Sequence, residues 1–258
     1  MLKNLREEFI MDNDNSLKSS YGFTLVEKAY RPNMEDTEAI VASIIALYKN
    51  AFALNHIPQF TLINDSTSED IHTDRDAKTL YISCTYVYWS QLAYQFCHEL
   101  CHYLIPHEVI HSLRWFEESI CESASLFFMY RLASYWKTHS LLKQPEYADK
   151  IFSYVDSTKN EFHSFNLPDL SDPDSPISHK FLEKDGEYHR MHNRYIANNL
   201  LPIFNSHDGL WQAVPYLCNI KDEKPLLEQL RIWKTLTPEI SHEGIDNIIA
   251  LFTPGSSN

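Results

Sequence analysis

A chain of 258 residues, 44% of them apolar and 13% aromatic, can bury a substantial core, so a globular fold of one large domain or two small lobes is expected. The formal net charge of −13, with no cluster of Lys and Arg, argues against nucleic acid or an anionic membrane surface as partner, since either needs concentrated positive charge. Five glycines and no G-x-G-x-x-G or Walker pattern disfavour nucleotide chemistry.

The N-terminal MLKNLREEFIMDNDNS lacks the uninterrupted apolar run of a signal peptide, and no later segment reaches the ~18 apolar residues of a membrane span. A soluble protein is expected. The five cysteines, Cys84, Cys97, Cys101, Cys121 and Cys218, are odd in number and fall largely in helical patterns, which suits reduced thiols and a cytoplasmic location.

Residues 1–33 are polar, with a break expected at Arg31-Pro32-Asn33, after which Asp36 to Leu54 reads as an amphipathic helix. Gln59 to Asn64 (QFTLIN) and Thr79 to Ser83 (TLYIS) read as two strands flanking a polar loop, DSTSEDIHTDRDAK, with Thr79 to Ser83 as an edge strand. Trp89, Leu92, Ala93, Phe96, Leu100 and Tyr103 follow helical spacing up to Pro106. A second long helix is expected over Trp115 to Tyr135, and a third from Pro145 towards His163. Asn166 to Ser178 (NLPDLSDPDSPIS) reads as a loop; helices follow over Asp185 to Ser206 with a kink near Pro202, Leu210 to Ile220, Pro225 to Leu236, and His242 to Phe252. The expected class is α+β. An N-terminal region over residues 1–140 and a mainly helical lobe over 141–258 would enclose a cleft, or the two would form one continuous domain.

His-Glu-x-x-His occurs twice: HELCH at His98 to His102 and HEVIH at His107 to His111. In a random chain of this composition about 0.05 matches are expected, so context must decide. On a helix, residues i and i+4 share a face, so both histidines can meet one zinc ion while the intervening Glu is turned by roughly 100° towards a metal-bound water. HELCH sits inside the long striped helix, whereas HEVIH follows Pro106 in a short segment without rigid support. Fifteen residues, Tyr103 to Glu117, separate HELCH from Glu118, enough for a return helix; only six, Ser112 to Glu117, separate it from HEVIH. A metzincin pattern would need Gly where Ile105 and Pro106 stand. Cys97, His98, Cys101 and His102 are too crowded on little more than one turn to enclose an ion together.

HELCH followed by RWFEESICES resembles the gluzincin metallopeptidases, the thermolysin- and aminopeptidase-N-like clan, whose second helix is often written W-L-x-E-G-x-A. Trp115, Phe116, Glu118 and Cys121 match that pattern, while Ser119 replaces the usual Gly. Glu122, separated from His102 by nineteen residues, is an alternative third ligand; with Glu118 as ligand, Glu122 is expected to orient a histidine. The resemblance covers residues 59–135 and implies a zincin-like core with one zinc ion per chain held by His98, His102 and Glu118. Glu99 is then the general base for a metal-activated water, and a peptide or protein is the substrate. A downstream Tyr or His would donate to the oxyanion; in DGEYHRMHNRYIANN, His189 and Tyr195 are the candidates, against a plain solvated helix face. A catalytically silent zinc-binding scaffold and a hydrolase of non-peptide amides are the competing readings. No feature of the sequence specifies an oligomeric state.

Overall fold

The computed structural model describes residues 16–28, 34–85, 88–139 and 141–255; the N-terminal fifteen residues and the break at Arg31-Pro32-Asn33 lie outside these. Five strands form one sheet: β1 (Ser16–Lys18), β2 (Phe23–Glu27), β3 (Phe60–Asn64), β4 (His72–Asp74) and β5 (Thr79–Ile82), in the order β1-β2-β3-β5-β4. The inner strands β2, β3 and β5 run parallel, and β1 and β4 flank them antiparallel. A parallel pair needs a crossover. Helix α1 (Met34–Ala51) supplies it between β2 and β3. Strict alternation along FTLVE and FTLIN turns Phe23, Leu25, Phe60 and Leu62 into the core, where Phe23 and Phe60 stack at 5.6 Å.

The sheet departs from expectation at its edge. Thr79–Ile82 is an interior strand, and the edge is β4, which lies within the run read as a loop. Three residues are too few for alternation to show, and His72 faces solvent. The hairpin closes through Asp74, whose Oδ1 accepts from the Ala77 N–H at 2.8 Å.

Helix α2 (Trp89–Tyr103) packs against β4 and β5, and α3 (Arg114–His139) returns against it. Tyr48 of α1 donates its hydroxyl to the Cys97 carbonyl at 2.5 Å, joining α1 to α2. Helix α3 is covered on several sides, by α1, α2, α4 (Tyr147–Lys159) and α6 (Arg190–Ser206), so apolar side chains occur around most of its circumference. Its buried hydroxyls are satisfied internally: Ser119 Oγ donates to the Trp115 carbonyl and Ser123 Oγ to the Ser119 carbonyl, both at 2.8 Å. Ser119, at the position of the motif's glycine, is therefore fully buried without an orphaned group.

The C-terminal half is helical, completed by α5 (Pro176–Leu182), α7 (Leu226–Leu236) and α8 (His242–Phe252), with Leu210–Asn219 as a 3-10 segment. The stretch read as a loop contains the start of α5: Ser175 caps the Ser178 N–H at 3.1 Å and Pro176 opens the helix. Helix α6 runs through Pro202 to Ser206 but starts only at Arg190, after a 3-10 turn at Gly186–Tyr188. One hydrophobic cluster extends from Leu17 to Phe252 across both halves. Among the described residues no helix is long and apolar enough to cross a membrane.

Candidate metal centre

Helix α2 is fixed before it reaches its histidines. Gln95 accepts from the Ser83 N–H at 2.8 Å and donates to the Ser83 carbonyl at 3.1 Å, which ties the helix to the end of β5. Helical spacing then sets His98 and His102 side by side. Helix α3 presents Glu118 to both: Glu118 Oε2 lies 3.2 Å from His98 Nε2 and Oε1 lies 3.3 Å from His102 Nε2, while the two Nε2 atoms are 3.2 Å apart. All three side chains are 12–20% exposed.

These spacings test the fit to a metal. Ligand atoms at ~2.05 Å from a tetrahedral zinc ion stand about 3.3 Å apart. The two Nε2 atoms stand at that spacing, each faces a different oxygen of Glu118 at a similar distance, and one donor atom from each residue lies within 4.8 Å of the others. The electrostatics also favour positive charge here. Burial works against the charged form of His102, but Glu118 and Glu117 overcome it and raise its pKa well above the ordinary histidine range. Burial likewise opposes ionisation of Glu118, yet His102 and His98 hold its carboxyl well below the usual carboxylate range.

For Nε2 to face a cation, Nδ1 must carry the proton, and its acceptor fixes the tautomer. For His102 that acceptor is Glu117, at 2.7 Å from Nδ1. Glu117 is in turn held by Arg75 Nη2, and Arg75 also donates to the carbonyls of His102 (3.2 Å) and Ile105 (2.9 Å) and to Glu108 (2.8 Å). The sequence reading overlooks Glu117; its signal is adjacency to Glu118 on a helix end that the Arg75 hairpin overhangs.

Glu122, the alternative ligand, is committed elsewhere. It accepts from the Tyr94 hydroxyl and from Arg194 Nε at 2.8 Å. Its Oε2 stands 4.0 Å from His98 Nδ1, beyond a hydrogen bond, so the orienting role expected of Glu122 is filled at His102 by Glu117.

Glu99, between the histidines in sequence, is buried and lines the cleft beside them. Thr73 on edge strand β4 places its Oγ1 2.8 Å from Glu99 Oε2 and 2.9 Å from the Glu99 carbonyl. The cleft holds about 420 Å³ and is walled by β4, α2, the start of α3 and the segment from Glu187 to Asn193.

The second pentapeptide has no helical geometry. His107 to Ile110 are irregular and His111 opens a 3-10 turn, with both histidines exposed and Glu108 paired with Arg75. The two expected oxyanion donors point elsewhere. His189 packs on Phe181 and His192, Tyr195 on Phe162 and Phe165, and neither lines the cleft. Tyr188 does. Its turn begins at Asp185 in the left-handed region (φ 62°) and passes Gly186, where a Cβ would come within 2.6 Å of the Lys180 and Phe181 carbonyl oxygens. Asn193 Nδ2 donates to the Glu187 carbonyl and anchors the turn to α6. Burial raises the Tyr188 pKa, with Glu118 and Glu187 adding to it.

All five cysteines are buried free thiols. Comparison with protein-family models, curated proteins and solved structures finds no match to this chain.

Proposed function

We propose that the chain is a zinc-dependent hydrolase of peptide bonds on a zincin-like α+β core, with His98, His102 and Glu118 as metal ligands. The observation that carries this is the convergence of two imidazole nitrogens and one carboxylate, within the reach of a single metal ion, beside buried Glu99 in an accessible cleft. A closed structural site takes four protein ligands and has no use for a neighbouring base, whereas a catalytic one takes three. Zinc bound there would supply the positive charge that acidifies a water molecule and polarises a substrate carbonyl.

The protein's own groups have distinct tasks. Glu99 receives the water proton and returns it to the leaving amine, and the Thr73 hydroxyl holds its carboxylate in place. Glu117 keeps His102 in the tautomer that presents Nε2. Tyr188, a neutral phenol on the cleft wall whose pKa nearby carboxylates help to raise, donates a hydrogen bond to the developing oxyanion. The outer edge of β4 offers main-chain groups to an extended peptide. The buried free thiols support a cytoplasmic location.

The test combines metal content with a peptide-library digest. The purified protein should carry about one zinc per chain; His98→Ala and His102→Ala should lose it, while His107→Ala and His111→Ala should keep it. Glu99→Gln should retain zinc and lose cleavage, and Tyr188→Phe should lower kcat. Full zinc retention by His98→Ala, or library cleavage by Glu99→Gln equal to the wild type, would overturn the assignment.

A further inference from the structure

Three guanidinium groups line the cleft, and two are consumed by it. Arg75 is bound by Glu108, Glu117 and two carbonyls, and Arg114 lies 3.5 Å from Glu187. Arg190 differs. It is exposed, and among the described residues no carboxylate lies within ion-pair distance of it. Its Cζ sits 5.8 Å from the centroid of the Tyr94 ring, and its guanidinium hydrogen-bonds the Tyr94 side chain and feels the charge of Glu122 at longer range. Glu122, the acid beneath that ring, is already occupied by Arg194 and the Tyr94 hydroxyl.

Arg190 is also the first residue of α6, a 17-residue helix whose N-terminus has no side-chain cap. That end carries partial positive charge. Asn193, three residues on and so on the same face, lines the same cleft; its Nδ2 is fixed on the Glu187 carbonyl, and its Oδ1 is buried without a partner. Because a carbonyl oxygen only accepts, the atom facing Glu187 must be the amide nitrogen, and the unpaired atom is an acceptor. A guanidinium exposed at the cleft wall, with donors left over beyond Tyr94 and no carboxylate in an ion pair with it, suits a ligand that presents a carboxylate.

We propose that Arg190 binds a carboxylate of the substrate, so that the cleft selects peptides with an anionic group close to the metal centre. The inference rests on the hydrolase reading and narrows it to a substrate class. The carboxylate is either an Asp or Glu side chain or a free C-terminus, both of which present the planar pair of oxygens that a guanidinium matches. In a chain of net charge −13, long-range attraction would favour cationic peptides, so this selectivity has to come from the local group.

The experiment reads binding apart from cleavage. Zinc-loaded Glu99→Gln protein is immobilised and exposed to two random heptapeptide mixtures, one with free and one with amidated C-termini, and retained peptides are identified by mass spectrometry. Enrichment of Asp and Glu in both mixtures identifies a side-chain carboxylate; retention confined to the free-acid mixture identifies the C-terminus. Adding Arg190→Gln should reduce the enrichment at least ~10-fold, the range of one charge-assisted hydrogen bond. Arg190→Lys should keep part of it, and Arg190→Glu should shift retention towards Lys and Arg. Zinc content of each variant checks that the site is folded. No acidic or free-acid enrichment, no retained peptide, or a retained set unchanged by Arg190→Gln would overturn the proposal. Acid-selective retention without cleavage by the wild type would sink the hydrolase and leave the subsite; cleavage without acid preference would sink the subsite alone.

Discussion

Glu118 and Glu122 stand one turn apart on α3, and replacing each with Gln should give opposite phenotypes. Glu122 forms an ion pair with Arg194 at 2.8 Å, both side chains are 5% exposed, and its second oxygen takes the Tyr94 hydroxyl. At an effective dielectric of ~20, unit charges ~4 Å apart attract by about 4 kcal/mol. Removing one partner of such a buried pair costs about 3–5 kcal/mol, because the remaining ion stays desolvated. Glutamine keeps one acceptor for the guanidinium, so Glu122→Gln should lose ~3 kcal/mol, a large share of the about 5–15 kcal/mol available to a domain. Its zinc affinity should fall by no more than ~10-fold, the low end for a group behind a ligand, since it makes no hydrogen bond to His98. Glu118→Gln removes the carboxylate that meets both Nε2 atoms and should cost more than ~100-fold in zinc affinity. Urea unfolding of the metal-free proteins measures stability, and chelator competition measures affinity. In the Glu122→Gln background, Arg194→Met should add little further loss, the non-additivity of a directly coupled pair. A Glu122→Gln protein of unchanged stability, or one that loses more zinc affinity than Glu118→Gln, would refute this assignment of the two carboxylates.

Glu117→Gln weakens the hold on His102 and should reduce zinc affinity by about 10–100-fold in the same competition assay; an unchanged affinity would mean that His102 is oriented without it. His192 gives a pH prediction. Burial, then Lys180, His163 and His189, lower its pKa to about 4, so as pH falls the unfolded chain takes the proton first, near pH ~6.5. Its contribution to stability is complete above that pH and is lost between about 6.5 and about 4. The fall in urea midpoint from pH 7 to pH 4.5 should therefore be smaller in His192→Gln than in the wild type, and equal falls would remove His192 from the account.

What the sequence displays and what it hides have physical causes. His242–Phe252 is visible to its exact bounds because an amphipathic stripe repeats over three turns before Thr253-Pro254. The triad is visible because two helices impose rigid periodicities, i to i+4 on α2 and a return of fixed length to Glu118 on α3. The alternation of Phe23–Glu27 is readable in principle but lies in a polar neighbourhood that draws attention from it. Nothing local marks His72–Asp74 as a strand; it forms because β5 offers an unpaired edge. Tyr188 is hidden for another reason: a left-handed Asp185 and a tightly packed Gly186 delay the start of α6, and the residue facing the cleft becomes 188 instead of 189 or 195.

Edge strand β4 and the residue after it have a further consequence, for how this chain can vary. Thr73 on Glu99 and Arg75 on Glu117 are two residues apart, so the pleat aims both towards α2. An insertion or deletion of one residue that shifted the pairing of β4 with β5 would exchange the faces of the strand, turning Thr73 away from Glu99 and moving Arg75 off Glu117. Length changes between Asp65 and Ile71 that leave the register intact should be absorbed by the loop. The same change placed within Thr73 to Lys78 would disturb Glu99 and the support of His102 together, although neither lies in the hairpin.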